Sequence, residues 1–210
     1  MSRPRFDQTT CDTLSDCIKE IEKRTAAELV IVVRARSGYY THADFLFGFL
    51  LSFITLLFLL FSPFTFHQIW VAIDVLVLFI IGSFLSSRSN KLRRLLTSQK
   101  VRADNARRAA AAMFYEAGIA NTESETGVLV YLSLFERRLE LIADRAVLKA
   151  VPPLGWNGVI FELHQDGKEP NPQTFTEGVR KLGALLAEHL PANEDANPDE
   201  LPNKPQFDLK

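Results

Sequence analysis

Two apolar runs, Phe45–Phe61 and Ile69–Leu85, follow one another with only Ser62-Pro63-Phe64-Thr65-Phe66-His67-Gln68 between them. Each reaches the minimum of about 17 residues for a helix to cross a bilayer core. The first contains no charged residue and the second only Asp74. The competing arrangement, a helical hairpin buried in a soluble α/β core, asks for a polar face that neither run supplies. Two spans return the chain to the side it left, so the polar segments before and after them share one compartment. A membrane-anchored domain is therefore expected.

The flanks orient it. Lys23, Arg24, Arg34 and Arg36 precede the hairpin, and Arg88, Lys91, Arg93, Arg94, Lys100 and Arg102 follow it, while the connecting loop has no Lys or Arg. Cytoplasmic flanks carry that excess, so both termini are expected in the cytoplasm of a multi-pass inner-membrane protein, with the Pro63 loop outside. Tyr39, Tyr40, Phe66 and Trp70 stand where interfacial aromatics belong. Met1–Arg24 is polar and does not read as a signal peptide. The basic cluster after the second run suits anionic headgroups. The whole chain has a net charge of −1, which gives no reason to expect a nucleic-acid partner. Cys11 and Cys17, the two cysteines, lie six apart and form no CxxC pair; reduced, packed thiols are expected.

Outside the hairpin roughly 170 residues remain, enough for one core. The expected divisions are 1–43, the first part of the cytoplasmic domain; 44–86, the hairpin, with spans at about 45–61 and 69–85; 87–191, the second part; and 192–210, an acidic, proline-rich tail. Cys11, Leu14, Ile18 and Ile21 recur on one helical face, with Thr9 or Thr10 as N-cap. Leu29–Val33 and Val128–Leu134 are continuous apolar runs of the kind found in strands covered on both faces. Arg88–Ala117 reads as one long helix closed by Gly118. Glu136-Arg137-Arg138 reads as a charged, solvated turn into a third strand, Leu139–Ala143. Trp156–His164 reads as a helix closed near Gly167. The last helix opens on a Thr174–Glu177 capping box and stops at Pro191. This order predicts an α/β fold, a small mixed sheet of three or four strands with helices on both faces, interrupted by the hairpin. The tail from Ala192 is expected to be extended or mobile.

Three stretches resemble the TPM domain family. Thr25-Ala-Ala-Glu-Leu-Val-Ile-Val-Val33 is similar to its first-strand entry. Thr126-Gly-Val-Leu-Val-Tyr-Leu-Ser-Leu-Phe-Glu-Arg-Arg-Leu-Glu-Leu-Ile-Ala-Asp144 resembles its central hairpin, whose second strand ends in Ala-Asp. Asn197-Pro-Asp-Glu-Leu-Pro-Asn203 resembles the Asn-Glu-Leu-Pro-Asp tail of its bacterial membrane branch. The resemblance implies a three-layer α/β/α sandwich. It also implies a link to membrane-complex repair, since plant thylakoid members are tied to photosystem II repair and to acid phosphatase activity, and some bind calcium. The expected cytoplasmic orientation, the lack of a lumenal targeting segment and Asn203 in place of the closing acid depart from the plant pattern. They point to the bacterial inner-membrane branch rather than to the phosphatase.

No GxSxG, Walker A, GxGxxG or HExxH signature is present. His42, His67, His164 and His189 are scattered without metal-ligand spacing. The carboxylates are the better candidates: Glu28 enters one strand and Asp144 leaves another, and sheet ends are where α/β ligands collect. With Asn121, Glu123 and Glu125 from the intervening connection they would offer the oxygen donors that Ca²⁺ takes. The alternative is a pair of cap or surface carboxylates, Asp144 capping the next turn and Glu28 pairing with Arg24. Whether Glu28 shares an edge with Asp144 depends on their strands running antiparallel. Arg137 and Arg138 are candidates for an anion or a partner protein. Asp74, an ionisable residue inside a span, lies only about five residues in, roughly 7–8 Å, and is expected at the interface. A binding or adaptor module for membrane proteins is the expected function, with a divalent-metal-dependent phosphatase-like hydrolase as the alternative.

Overall fold

The computed structural model describes residues 6–64, 66–163, 170–192, 201 and 204–209. Among them are eight α-helices and a four-stranded mixed sheet. Helix α1 (Gln8–Glu22) leads into strand β1 (Glu28–Arg34), and α2 (Thr41–Phe61) and α3 (Gln68–Arg88) follow. Then come α4 (Asn90–Leu96), α5 (Gln99–Glu116), a 3₁₀ turn at Ile119–Asn121, β2 (Gly127–Ser133) and β3 (Arg138–Ala143). Helices α6 (Arg145–Ala150), α7 (Pro153–Leu163) and α8 (Pro172–His189) precede the short strand β4 (Gln206–Asp208). The chain divides into two compact units: Met1–Ser37 with Ala103–Lys210, and Gly38–Arg102.

In the first unit the strand order is β3-β2-β1-β4. Strand β1 runs parallel to β2 and β4, and β3 antiparallel to β2. Strands β1 and β2 are buried almost end to end, as continuous β-branched runs require. The pleat divides their side chains between two clusters. Leu29, Ile31, Val33, Val128, Val130 and Leu132 pack with Leu14 and Ile18 of α1 and with Val179, Leu182 and Leu186 of α8. Val30, Val32, Leu129 and Tyr131 pack with Ala110, Met113 and Phe114 of α5 and with Ile119.

Several expected boundaries move, for local reasons. Asp7, not Thr9 or Thr10, caps α1, because its carboxylate accepts both the amide and the hydroxyl of Thr10 at 3.0 Å. Asn171 caps α8, with Pro172 at the first helical position. The long helix expected over Arg88–Ala117 is broken, since Ser89 and Ser98 hydroxyls accept from Leu92 and Val101 amides at 3.4 and 3.3 Å and start new helices. Within the tail, expected to be extended or mobile, Gln206–Asp208 forms an edge strand on β1, and Phe207 meets Phe6 edge-on at 6.1 Å. His164, Gly167 and most of the Asn197–Asn203 stretch lie outside the described residues. Cys11 and Cys17 are buried and free.

In the second unit α2 and α3, 21 residues each, are long and apolar enough to cross a membrane. They pack on each other through small residues. Gly48 and Ser52 of α2 and Gly82 and Ser86 of α3 are buried, and a Cβ on Gly82 would stand 2.9 Å from Gly48 Cα. Large side chains such as Phe49, Ile54, Phe58, Ile80 and Phe84 point outward.

Candidate functional site

The amino-terminal edge of the sheet gathers two of the candidate carboxylates. Because β1 is parallel to β2 and β3 antiparallel to it, the start of β1 and the end of β3 fall on one edge. Glu28 stands opposite Gly127, and the Asp144 amide donates to the Gly127 carbonyl at 2.9 Å. All three sit in one row on the α5 face, the outer two about 10 Å apart across two strand spacings. Glu28 is buried. Asp144 caps α6, its Oδ1 accepting from the Arg145 amide at 2.7 Å, while its Oδ2 is buried without a hydrogen-bond partner among the described residues. The space above Gly127 is filled by Ile119: a Cβ there would collide with the Ile119 carbonyl oxygen and lie 2.7 Å from its Cγ2. Glycine is needed so that this carbonyl can come down between the two carboxylates.

The connection carrying Glu123 and Glu125 is tied to the same edge by backbone. Glu125 adopts φ 53°, its amide donates to Thr122 O at 3.1 Å, and its carbonyl accepts from the Ala146 amide at 3.1 Å. The side chains of Glu123 and Glu125 are nonetheless exposed. Among the described residues no three His, Cys, Asp or Glu side chains gather closely enough to hold a metal ion. An open pocket of about 440 Å³ adjoins Asp144, walled by Phe114, Tyr115, Arg145, Leu148 and Lys149.

The opposite edge holds a constellation that the sequence reading missed. Glu136, expected in a solvated turn, is only 3 % exposed. Its Oε1 accepts from the Ser37 amide at 2.9 Å, and its Oε2 accepts a short hydrogen bond from the Ser133 hydroxyl. The Ser37 hydroxyl donates to Ser133 Oγ at 2.7 Å and stands 2.8 Å from the Tyr131 hydroxyl. With one proton per hydroxyl, the chain runs Tyr131 to Ser37 to Ser133 to Glu136 and ends on the carboxylate. Burial pushes the Tyr131 phenol above its ordinary pKa. This edge is the carboxyl end of the parallel strands β1 and β2, where open α/β sheets collect ligands. Arg34, Ser133 and Arg138 stand side by side in register, Arg34 being 3.8 Å from Asp208. Arg137, at φ 51°, and Arg138 are half-buried here. They lie about 20 Å from Glu28 and Asp144, six strand residues at roughly 3.3 Å each. The acidic and basic candidates are thus on opposite edges. A signal was available in Ser133, the one hydroxyl-bearing aliphatic position in an otherwise apolar strand end; Ser37 and Glu136 carried none.

In the second unit a different pair is joined. Asp44, in the first turn of α2 and 4 % exposed, receives both Nε and Nη2 of Arg93 from α4 at 2.6–3.2 Å. This two-pronged geometry is the strong form of an arginine–carboxylate pair. Asp74 is exposed on α3. His67 caps α3 by accepting from the Ile69 amide at 3.4 Å; His42 lies beside Tyr40, and His189 ends α8.

No family model and no curated protein matches the sequence. Among solved structures, the chain is similar to the NMR structure of the BA42 protein from the psychrophilic bacterium Bizionia argentinensis, with a TM-score of 0.58 and 16 % identity over 97 % of this chain and 96 % of that one. At that identity the likeness concerns the fold alone.

Proposed function

We propose that the chain is a TPM-like three-layer α/β/α domain, anchored in the inner membrane by the α2–α3 hairpin, which binds membrane proteins during their assembly, repair or turnover. The observation that carries the anchor is the outward apolar surface of the hairpin: only 17 % and 11 % of the apolar windows of α2 and α3 are buried. A soluble hairpin would hide those side chains, whereas lipid accommodates them and leaves small residues to hold the helices together. The distribution of Lys and Arg supports termini in the cytoplasm. The layering is supported by the two clusters on opposite faces of the sheet. The adaptor role is supported by α7, where Leu154 and Phe161 are 87 % and 82 % exposed one above the other at i and i+7. Such side chains suit a protein partner. Reporters fused before Asp7 and after Lys210 should read as cytoplasmic, and one inserted at Pro63 as periplasmic. Pull-down of the full chain in mild detergent should recover a membrane protein, and recovery should fall in Leu154→Ser/Phe161→Ser. Termini on opposite sides would sink the hairpin, and no partner at all would sink the adaptor role.

One observation favours a second reading, a hydrolase of phosphoesters using a divalent ion. The buried Oδ2 of Asp144, without a hydrogen-bond partner among the described residues, stands on one edge with Glu28, and the Ile119 carbonyl lies between them. Asp144 and Glu28 would hold Ca²⁺, with Glu123 and Glu125 supplying outer oxygens. Calcium should then raise the melting temperature, and Asp144→Ala and Glu28→Ala should each abolish that rise. No calcium-dependent shift in the unmutated protein would leave these carboxylates purely structural.

A further inference from the structure

Helix α4 follows α3 without a spacer. Ser89 closes α3 and caps α4, so α4 begins within a residue of the end of α3. It does not continue the axis of α3 as a free rod, for it packs against both α2 and α3, and the Arg93 fork on Asp44 fixes its rotation. At about 100° per residue, Arg93, Leu92 and Leu96 occupy the half of α4 turned to the hairpin. Arg94, Lys91 and Leu95 share an arc of about 100° on the other side. Leu95 is 81 % exposed and Lys91 is exposed, whereas Leu92 and Leu96 are half-buried; Arg94, at the margin of the outer arc, is also half-buried.

The charge around this arc is of one sign. From Val75 to Ala103 the sequence contains six basic residues and no Asp or Glu, and Asp44 engages Arg93. An exposed leucine flanked by cations, on a helix lying at the end of an apolar span, has the pattern of an interfacial segment. The leucine enters the acyl boundary and the cations reach lipid phosphates.

We propose that α4 is a membrane-surface helix, latched to the hairpin by Asp44–Arg93, whose Lys91, Arg94 and Leu95 bind the headgroups of anionic phospholipids. This rests on the reading of α2 and α3 as spans. The Asp44–Arg93 pair acts as a positioning element: it turns Lys91 and Leu95 outward and holds the Arg93 guanidinium against the hairpin.

The full chain, with Cys11 and Cys17 replaced by Ala, is reconstituted in phosphatidylcholine vesicles with or without phosphatidylglycerol. Nitroxide depth is read at Leu95→Cys on α4 and at Ile54→Cys on the outward face of α2. The Ile54 label should sit in the acyl core in both vesicles. The Leu95 label should move to headgroup depth when phosphatidylglycerol is present, and Asp44→Asn should broaden its depth distribution. In the protein with its native cysteines, lipid extraction after detergent purification should show retained phosphatidylglycerol. Lys91→Gln/Arg94→Gln should reduce its preference over phosphatidylcholine roughly thirtyfold, from about fivefold per basic residue. A buried Ile54 label with an equally wet Leu95 label in both vesicles overturns the proposal and leaves the hairpin standing, as does unchanged lipid preference in the double variant. A wet Ile54 label overturns both.

Discussion

At single residues, the carboxyl edge of the sheet is where small changes should tell most. Glu136 is buried beneath three hydroxyl groups and one amide that lead to it. Glu136→Ala leaves the Ser133 hydroxyl and the Ser37 amide without an acceptor, and should cost about 2–3 kcal/mol. Glu136→Gln keeps one carbonyl acceptor and should cost less. Thermal melts in mild detergent measure both. Tyr131 gives a pH signature. Its folded pKa is raised by burial above the ordinary 10.0, so the folded state holds the proton more tightly than the unfolded state. Stability from this group is therefore intact below about pH 10 and falls as pH rises beyond it. Melts between neutral and strongly alkaline pH should show a smaller loss in Tyr131→Phe than in the native protein, the remainder coming from the Cys11 and Cys17 thiols, whose pKa values burial also raises. An identical alkaline slope in both would mean that the phenol is not held neutral by the fold. None of the network residues belongs to a recognisable motif, because their partnership depends on a hydrogen-bond chain linking positions 94–99 residues apart.

Among elements, the hairpin and the last strand carry opposite lessons. The α2–α3 contact depends on two backbones approaching at Gly48 and Gly82. Gly48→Leu drives a side chain into Ser83 and the Phe79 carbonyl and should destabilise the pair by about 1–3 kcal/mol. Phe53→Leu, on the outward side, should stay within about 0.5 kcal/mol. Far-ultraviolet dichroism melts in detergent separate the two. Both helices were legible in the sequence because composition and length determine them. The glycine seam was not, since it depends on which turn of one helix faces which turn of the other. Strand β4 shows the limit from the other side. Read alone, Gln206–Asp208 belongs to a polar, proline-rich tail, and it becomes a strand only because β1 has a free edge beside it. Phe207→Ala removes the ring against Phe6 and should lower stability by about 1–2 kcal/mol, a half-buried phenylalanine's share. A melt unchanged by this substitution would mean that the strand adds nothing to the sheet.

For the whole molecule, the division into Met1–Ser37 with Ala103–Lys210 and Gly38–Arg102 makes a direct prediction. The first unit holds both hydrophobic clusters of the sheet, so replacing residues 38–102 by a short flexible linker should yield a soluble protein that unfolds in one cooperative transition. The network at Ser37 should survive in it, so Glu136→Ala should destabilise this protein by the same amount as the full chain. A loss confined to the full chain would mean that the hairpin, not the sheet, holds Ser37 in place.

The sequence by itself determined the two apolar helices, the paired apolar strands and the alternation of helix and strand. Each of these follows from composition and spacing within a single segment. It also placed Glu28 at the head of one strand and Asp144 at the foot of another. Only the tertiary structure decided that they share an edge, because that depends on β1 and β2 running parallel and on β3 reversing direction. The same pairing sent Arg137 and Arg138 to the far edge and drew Glu136 into the interior. In the second unit, the packing of α4 against α2 joined Asp44 to Arg93 across 49 residues. These outcomes rest on which segments meet, and no periodicity within one segment encodes that meeting.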